Sequence, residues 1–190
     1  MKFKIHLYIK IIILLIITVL NIKHCSGQIK TTGFMISLSG GTTSPINPDF
    51  SANYSTGYNF HISGGYVLNT GIAVNIALEY DRFGSKIIDD PNNNSLKLYS
   101  IKANGLIGNF CTCYQLHVFL YAGTALMFIQ DGNIKAPDSG SKMGFDAGIG
   151  LYYKFGHYFA LFGEVEYNLN LGKGYLKSFL PVRLGTLLIL

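Results

Sequence analysis

From residue 28 onward, apolar and polar side chains alternate with a period of two, and they do so in eight separate stretches. The first sets Phe34, Ile36 and Leu38 against Met35, Ser37 and Ser39. The second sets Tyr58, Phe60, Ile62 and Tyr66 against Asn59, His61, Ser63 and Gly65. The third is the most regular, with Ile72, Val74, Ile76, Leu78 and Tyr80 opposed to Ala73, Asn75, Ala77, Glu79 and Asp81. In the fourth, Tyr99, Ile101, Ala103 and Ile107 oppose Ser100, Lys102 and Asn104. A two-residue period places these sets on opposite faces of a strand. The fifth stretch, 116–130, is apolar on both faces, so its inward parity stays open. The sixth returns to the pattern with Met143 to Phe155 against Gly144, Asp146, Gly148, Gly150, Tyr152 and Lys154. The seventh sets Phe159, Leu161, Val165, Tyr167 and Leu169 against Glu164, Glu166 and Asn168. The eighth sets Leu180, Val182, Leu184, Leu188 and Leu190 against Arg183 and Gly185.

Long polar connections at 42–55, 84–95, 131–141 and 171–178 alternate with short ones at 69–71, 109–115 and 156–157. Short turns at one end and long loops at the other predict an all-β, eight-stranded, antiparallel up-and-down barrel. Periodicity alone does not say which face meets water. Side-chain size does help, because an eight-stranded barrel is narrow and filled by its own side chains. The polar face carries Gly65, Ala73, Ala77, Gly144, Gly148, Gly150 and Gly185; the other carries Ile, Leu, Val, Phe and Tyr. Small residues suit a cramped interior and bulky apolar ones a hydrocarbon exterior. Aromatic residues at strand ends, such as Tyr66, Tyr80, Tyr99, Phe155 and Tyr167, fit interfacial girdles. The expectation is therefore a transmembrane barrel, with a soluble lipocalin-like binder as the inverse reading.

Residues 1–27 change the charge picture. They hold Lys2, Lys4, Lys10 and Lys23 and no acid, around the apolar run Ile11–Leu20. Ten residues are about half of a membrane-spanning helix but the size of a signal-peptide core. A cleaved signal peptide over 1–27 and one barrel domain over 28–190 are expected. Cys25 is poorly set for lipidation behind Lys23 and His24. Without those four lysines, eleven basic residues face ten acidic ones, so the net charge of +5 belongs mostly to the leader and nucleic acid is not an expected partner. With 49% apolar and 13% charged residues, global disorder is excluded.

The expected interior collects Glu79, Asp146, Glu164 and Glu166 against Lys102, Lys154 and Arg183. Opposite signs are what a narrow, dry lumen demands, since an unpaired ion there costs several kcal/mol. This set reads as a structural polar network that fixes register, with an ion path as the functional alternative.

Three motifs fit a recognisable family: Ala147-Gly148-Ile149-Gly150-Leu151, Phe162-Gly163-Glu164-Val165-Glu166-Tyr167, and Leu180-Pro181-Val182-Arg183-Leu184-Gly185. Over about 31–190 the chain resembles the small OmpA/OmpX-type outer-membrane barrels, and most closely the porin-family "outer membrane protein β-barrel domain" proteins of Bacteroidetes. The resemblance implies an integral protein of the bacterial outer membrane with periplasmic termini, inserted by the barrel-assembly machinery. It carries no shared catalytic set. Members usually end in an aromatic residue, whereas this chain ends Leu187-Leu188-Ile189-Leu190.

Candidate chemistry is sparse. His61 and Ser63 share a face, as in the His-x-Ser pair of lipid A deacylases, and Glu79 on the neighbouring strand would complete a triad. Lumen packing is the simpler explanation. Cys111-Thr112-Cys113 would form a strained ring if oxidised, and with His117 it falls short of four zinc ligands. No catalytic residue, cofactor or metal is assigned. Lys135, Lys142, Lys173 and Lys177 sit in or near long loops, where lipopolysaccharide or solvent would meet them. The expected role is structural, adhesive or partner-binding through the four loops. A narrow channel is the alternative, and a lipid hydrolase is less favoured.

Overall fold

The computed structural model describes residues 33–86, 95–110, 115–131, 140–156, 158–171 and 178–190. The leader 1–27, Cys111 and Cys113, and much of the connections 84–95, 131–141 and 171–178 lie outside the described residues. Eight strands follow in chain order: β1 (Gly33–Pro45), β2 (Tyr54–Val67), β3 (Ile72–Ser85), β4 (Leu96–Gly108), β5 (Leu116–Asp131), β6 (Gly140–Phe155), β7 (Phe159–Asn170) and β8 (Ser178–Ile189). Each pairs antiparallel with its sequence neighbours, and β1 pairs with β8, closing the barrel. Closure leaves no sheet edge, so every strand finds backbone partners on both sides even where water is absent. The strands run 12–16 residues, longer than the roughly 9–11 needed to cross a bilayer.

The short connections are held locally. Asn69 turns β2 into β3 because its Oδ1 accepts from the amides of Gly71 (2.8 Å) and Ile72 (2.9 Å). Gly156 takes a positive φ of 75° between β6 and β7, a conformation that costs a side chain-bearing residue more. The connection expected as a polar loop over 42–55 is more ordered than the sequence suggests. β1 continues to Pro45, and a short helix, α1 (Pro48–Asn53), precedes β2. Pro48 pre-sets the first helical φ and Asp49 stands in the first turn. The Asn47 side chain does not cap this helix. Its Oδ1 accepts from the Ser178 amide at 3.3 Å and ties the helix to β8.

The faces separate cleanly. On β3, Ile76 is 64% exposed while its neighbour Ala77 is 1% exposed, and Leu38, Phe60, Ile107, Phe145 and Leu184 also point out. Two apolar layers fill the interior. Met35, Leu106, Phe119, Tyr152, Phe162 and Leu187 pack near the short connections. Phe50, Tyr54, Phe83, Leu98, Met127 and Phe179 pack near the loop end. Phe50 comes from α1 and is fully buried there, 4.9 Å from the Phe83 ring. Outside, Phe60, Tyr80, Tyr99 and Phe128 lie in one cross-strand row near the loops. Phe34 and Tyr66, and Tyr153 and Phe155, make edge-to-face pairs at the other end. On β6, Phe145 and Phe155 stand about 25 Å apart along the barrel axis for a strand tilted about 40°, the height of an apolar band.

β5 resolves the open parity. Its inward residues are His117, Phe119, Tyr121, Ala125, Met127 and Ile129, whereas Leu116, Leu120, Leu126 and Phe128 face out. Both faces are apolar because this one strand supplies rings to the lower layer and aliphatic groups to the upper one. Its neighbour makes the room. Gly148 and Gly150 lie opposite Tyr121 and Phe119, and a Cβ at either would fall 2.4 or 2.2 Å from the facing ring.

Candidate functional site

Between the two apolar layers lies a ring of alternating charge. Arg183 on β8 donates from Nη1 to Glu79 Oε2 at 2.8 Å and from Nη2 to Glu166 Oε2. Lys102 on β4 bonds both Glu79 and Glu166. Two carboxylates and two cations thus alternate in a closed circuit spanning β3, β4, β7 and β8. Glu164, directly opposite Arg183 across β7 and β8, adds a third carboxylate with its Oε1 2.8 Å from Arg183 Nε. That contact is an ion pair whose angle misses hydrogen-bond geometry.

Neutral groups extend the ring to further strands. Tyr121 on β5 donates its hydroxyl to Glu166 Oε2 at 2.9 Å. Asn168 donates to Glu166 Oε1 at 2.6 Å. Asn59 on β2 donates to Glu79 Oε1 (2.8 Å) and to Asp81 Oδ1 (2.7 Å). Six strands are therefore stitched across the lumen. Buried ions are tolerated only when each is paired and further hydrogen-bonded; Glu79 and Glu166 meet both conditions, whereas Glu164 Oε1 and Arg183 Nε have only their mutual ion pair.

Of the residues that parity assigned to the interior, five meet in this network: Glu79, Lys102, Glu164, Glu166 and Arg183. Asp146 is buried on β6, but neither carboxylate oxygen has a hydrogen-bond partner among the described residues. Lys154 is buried near the short-connection end, apart from the network. Asp81, Asn59, Tyr121 and Asn168 were not singled out from sequence. Asp81 and Asn59 stood on the right face, but their tie to Glu79 depends on the β2–β3 stagger. Tyr121 was hidden by the open parity of β5.

Below the ring is a cavity of about 50 Å³, room for water. Ser37, His61, Ser63 and Asn75 form its polar wall, and Phe119, Tyr152 and Phe162 its apolar one. The candidate His61–Ser63 pair lines it, with different partners from those a triad needs. The Ser63 hydroxyl is 2.6 Å from that of Ser37, and His61 Nδ1 is 3.3 Å from Ser39 Oγ. Glu79 stands opposite His61 in register, but its carboxylate is held by Lys102, Arg183 and Asn59. His117 donates from Nδ1 to the Asn109 carbonyl at 2.6 Å and stacks on Tyr152 at 4.4 Å. Among the described residues, no group of three or more His, Cys, Asp or Glu side chains is placed to hold a metal.

A closed eight-stranded barrel with bulky aliphatic residues outside, small and charged residues inside, an aromatic row at the loop end and aromatic pairs at the other has the architecture of the small outer-membrane β-barrels. Solved structures carry the same fold. The chain is similar to Neisserial surface protein A, NspA (20% identity, 85% of this chain and 98% of that one, TM-score 0.59). It is also similar to a major outer membrane protein of Thermus thermophilus (11% identity, 84% and 99% covered, TM-score 0.60). A third likeness is to Ail, the attachment invasion locus protein of Yersinia pestis (15% identity, 84% and 97% covered, TM-score 0.53). No family model matches the sequence, and no curated protein is similar to it at the sequence level. At these identities the likeness defines the fold.

Proposed function

We propose that this chain is exported to a bacterial outer membrane and sits there with its termini and short connections on the periplasmic side. There it serves the envelope as a structural and interaction protein. Its leader directs export, and the barrel-assembly machinery inserts it among phospholipid and lipopolysaccharide. The connections between the strands at the loop end, 46–53, 86–95, 132–139 and 171–177, then form the surface offered to an outside partner. Loops on a rigid scaffold are where such contacts are made, and the attachment protein Ail shares the scaffold.

The observation that carries this reading is the filled interior. The loop-end apolar layer closes over one side of the charge ring, with Phe50 sealing its mouth, while on the other side the cavity lies within the second layer and reaches Glu164. A conduit needs a continuous wet path, and here a path would have to cross the charge ring and the loop-end layer that Phe50 closes. Planar-bilayer recording tests the point. The expected result is a bilayer without stable current steps when the refolded protein is added. Reproducible steps of one size would favour the narrow channel instead. The hydrolase reading lacks a Ser63–His61 hydrogen bond, so added protein should leave lipid A and phospholipid intact by mass spectrometry.

A further inference from the structure

The outward wall of the strands carries charge in one place. Among strand residues whose side chains are described, Glu79, Asp81, Lys102, Asp146, Lys154, Glu164, Glu166 and Arg183 are buried inside. Lys142 has their inward parity at the loop-end mouth. Arg82 and Lys97 alone stand on the outer face, and they are direct cross-strand partners on β3 and β4. Like charges so placed repel, and neither has an acidic partner among the described residues. Arg82 is held in position. Its Nε donates to Ser95 Oγ at 3.1 Å, its Nη1 to the Tyr58 hydroxyl at 3.3 Å, and its guanidinium carbon lies 5.9 Å from the Tyr58 ring centre.

Register orders the wall around this pair. Tyr58, Arg82, Lys97 and Gln130 form one row. The row beneath it is Phe60, Tyr80, Tyr99 and Phe128, and the next holds Ile62, Leu78, Ile101 and Leu126. Going down the wall, one meets cations, then aromatic rings, then exposed aliphatic groups. An amphiphile has the same sequence of chemistry from head to tail.

We propose that Arg82 and Lys97 bind the phosphate of an anionic lipid headgroup in the leaflet at the loop end, with its acyl chains along Leu78 and Ile101. This rests on the membrane reading above. A guanidinium forks onto two phosphate oxygens while an ammonium supplies a point charge, and a phosphate between them replaces repulsion by attraction. A soluble anion would use the cations but not the apolar wall below.

Native mass spectrometry of the refolded full chain in detergent, titrated with diphosphorylated lipid A or with the same lipid stripped of phosphate, tests the site. The unaltered protein should retain the phosphorylated lipid at lower concentration. Arg82→Gln and Lys97→Gln should each weaken retention about fivefold, and the double variant roughly 25-fold. Arg82→Lys, which keeps the charge but loses the fork, should fall between. Each protein is also run unboiled on a gel, where a folded barrel migrates differently from its boiled form. A double variant that is folded and holds the lipid as well as the unaltered chain would overturn the site and leave the barrel reading intact. Displacement of the lipid by an equal concentration of inorganic phosphate would also overturn it, in favour of a small-anion site. An unaltered chain whose mobility is unchanged by boiling would count against the barrel reading itself.

Discussion

Arg183 meets three carboxylates at once, so its loss exposes what the interior ring is worth. In Arg183→Met the methylene stem is kept, but Glu79, Glu164 and Glu166 lose a cation they share. Leaving buried charge uncompensated should destabilise the barrel by about 3–5 kcal/mol, read as a lower denaturant midpoint in vesicles. Adding Glu164→Gln to that variant removes one orphaned carboxylate and should recover part of the loss. A single variant as stable as the parent would mean that the ring contributes nothing to holding the strands together. At Gly150 the constraint is volume rather than charge. A side chain there meets the Phe119 ring, so Gly150→Leu should cost about 1–3 kcal/mol by the same assay. Pairing it with Phe119→Ala, which vacates the space, should cost less than the two single changes summed.

Among the elements, β3 and β5 mark the two ends of what a sequence can disclose. β3 sets Ile76 and Leu78 out and Ala77 and Glu79 in, so its alternation is legible by inspection. β5 has Phe119, Tyr121 and Met127 inward beside Leu120, Leu126 and Phe128 outward, and binary pattern cannot orient a strand whose faces are equally apolar. The clue lay on β6, where Gly148 and Gly150 leave space that only large neighbours would fill. α1 was hidden for another reason. Its six residues lack a helical apolar stripe, and its single buried side chain is Phe50 in the barrel mouth. Phe50→Ala should unseat α1 and speed proteolytic cutting near 46–53, while boiling still changes the mobility of the barrel on a gel. Unchanged cleavage would show that the helix is held by its backbone ties to Ser178 and Lys86.

For the whole molecule, parity and loop lengths were enough to specify a closed up-and-down barrel, because both follow from local chemistry repeated eight times. The charge ring was less accessible. Parity put Glu79, Lys102, Glu164, Glu166 and Arg183 on one face, but Lys102 reaches Glu166 across 64 positions of chain, and that meeting is set by barrel stagger. The same limit hid the Arg82–Lys97 pair, which are unremarkable charges until register places them side by side on a wall whose other described side chains are uncharged. Every one of these statements depends on which face meets hydrocarbon. The chain contains no tryptophan, so a single introduced indole reports its own surroundings. Ile76→Trp on the outer face and Phe162→Trp on the inner one, each refolded into vesicles of brominated lipid, should divide sharply. Strong quenching of the indole at 76 with little at 162 is the expected result. Quenching at 162 with the indole at 76 unaffected, or a chain that stays folded in buffer without detergent or lipid, would contradict a barrel turned apolar side out.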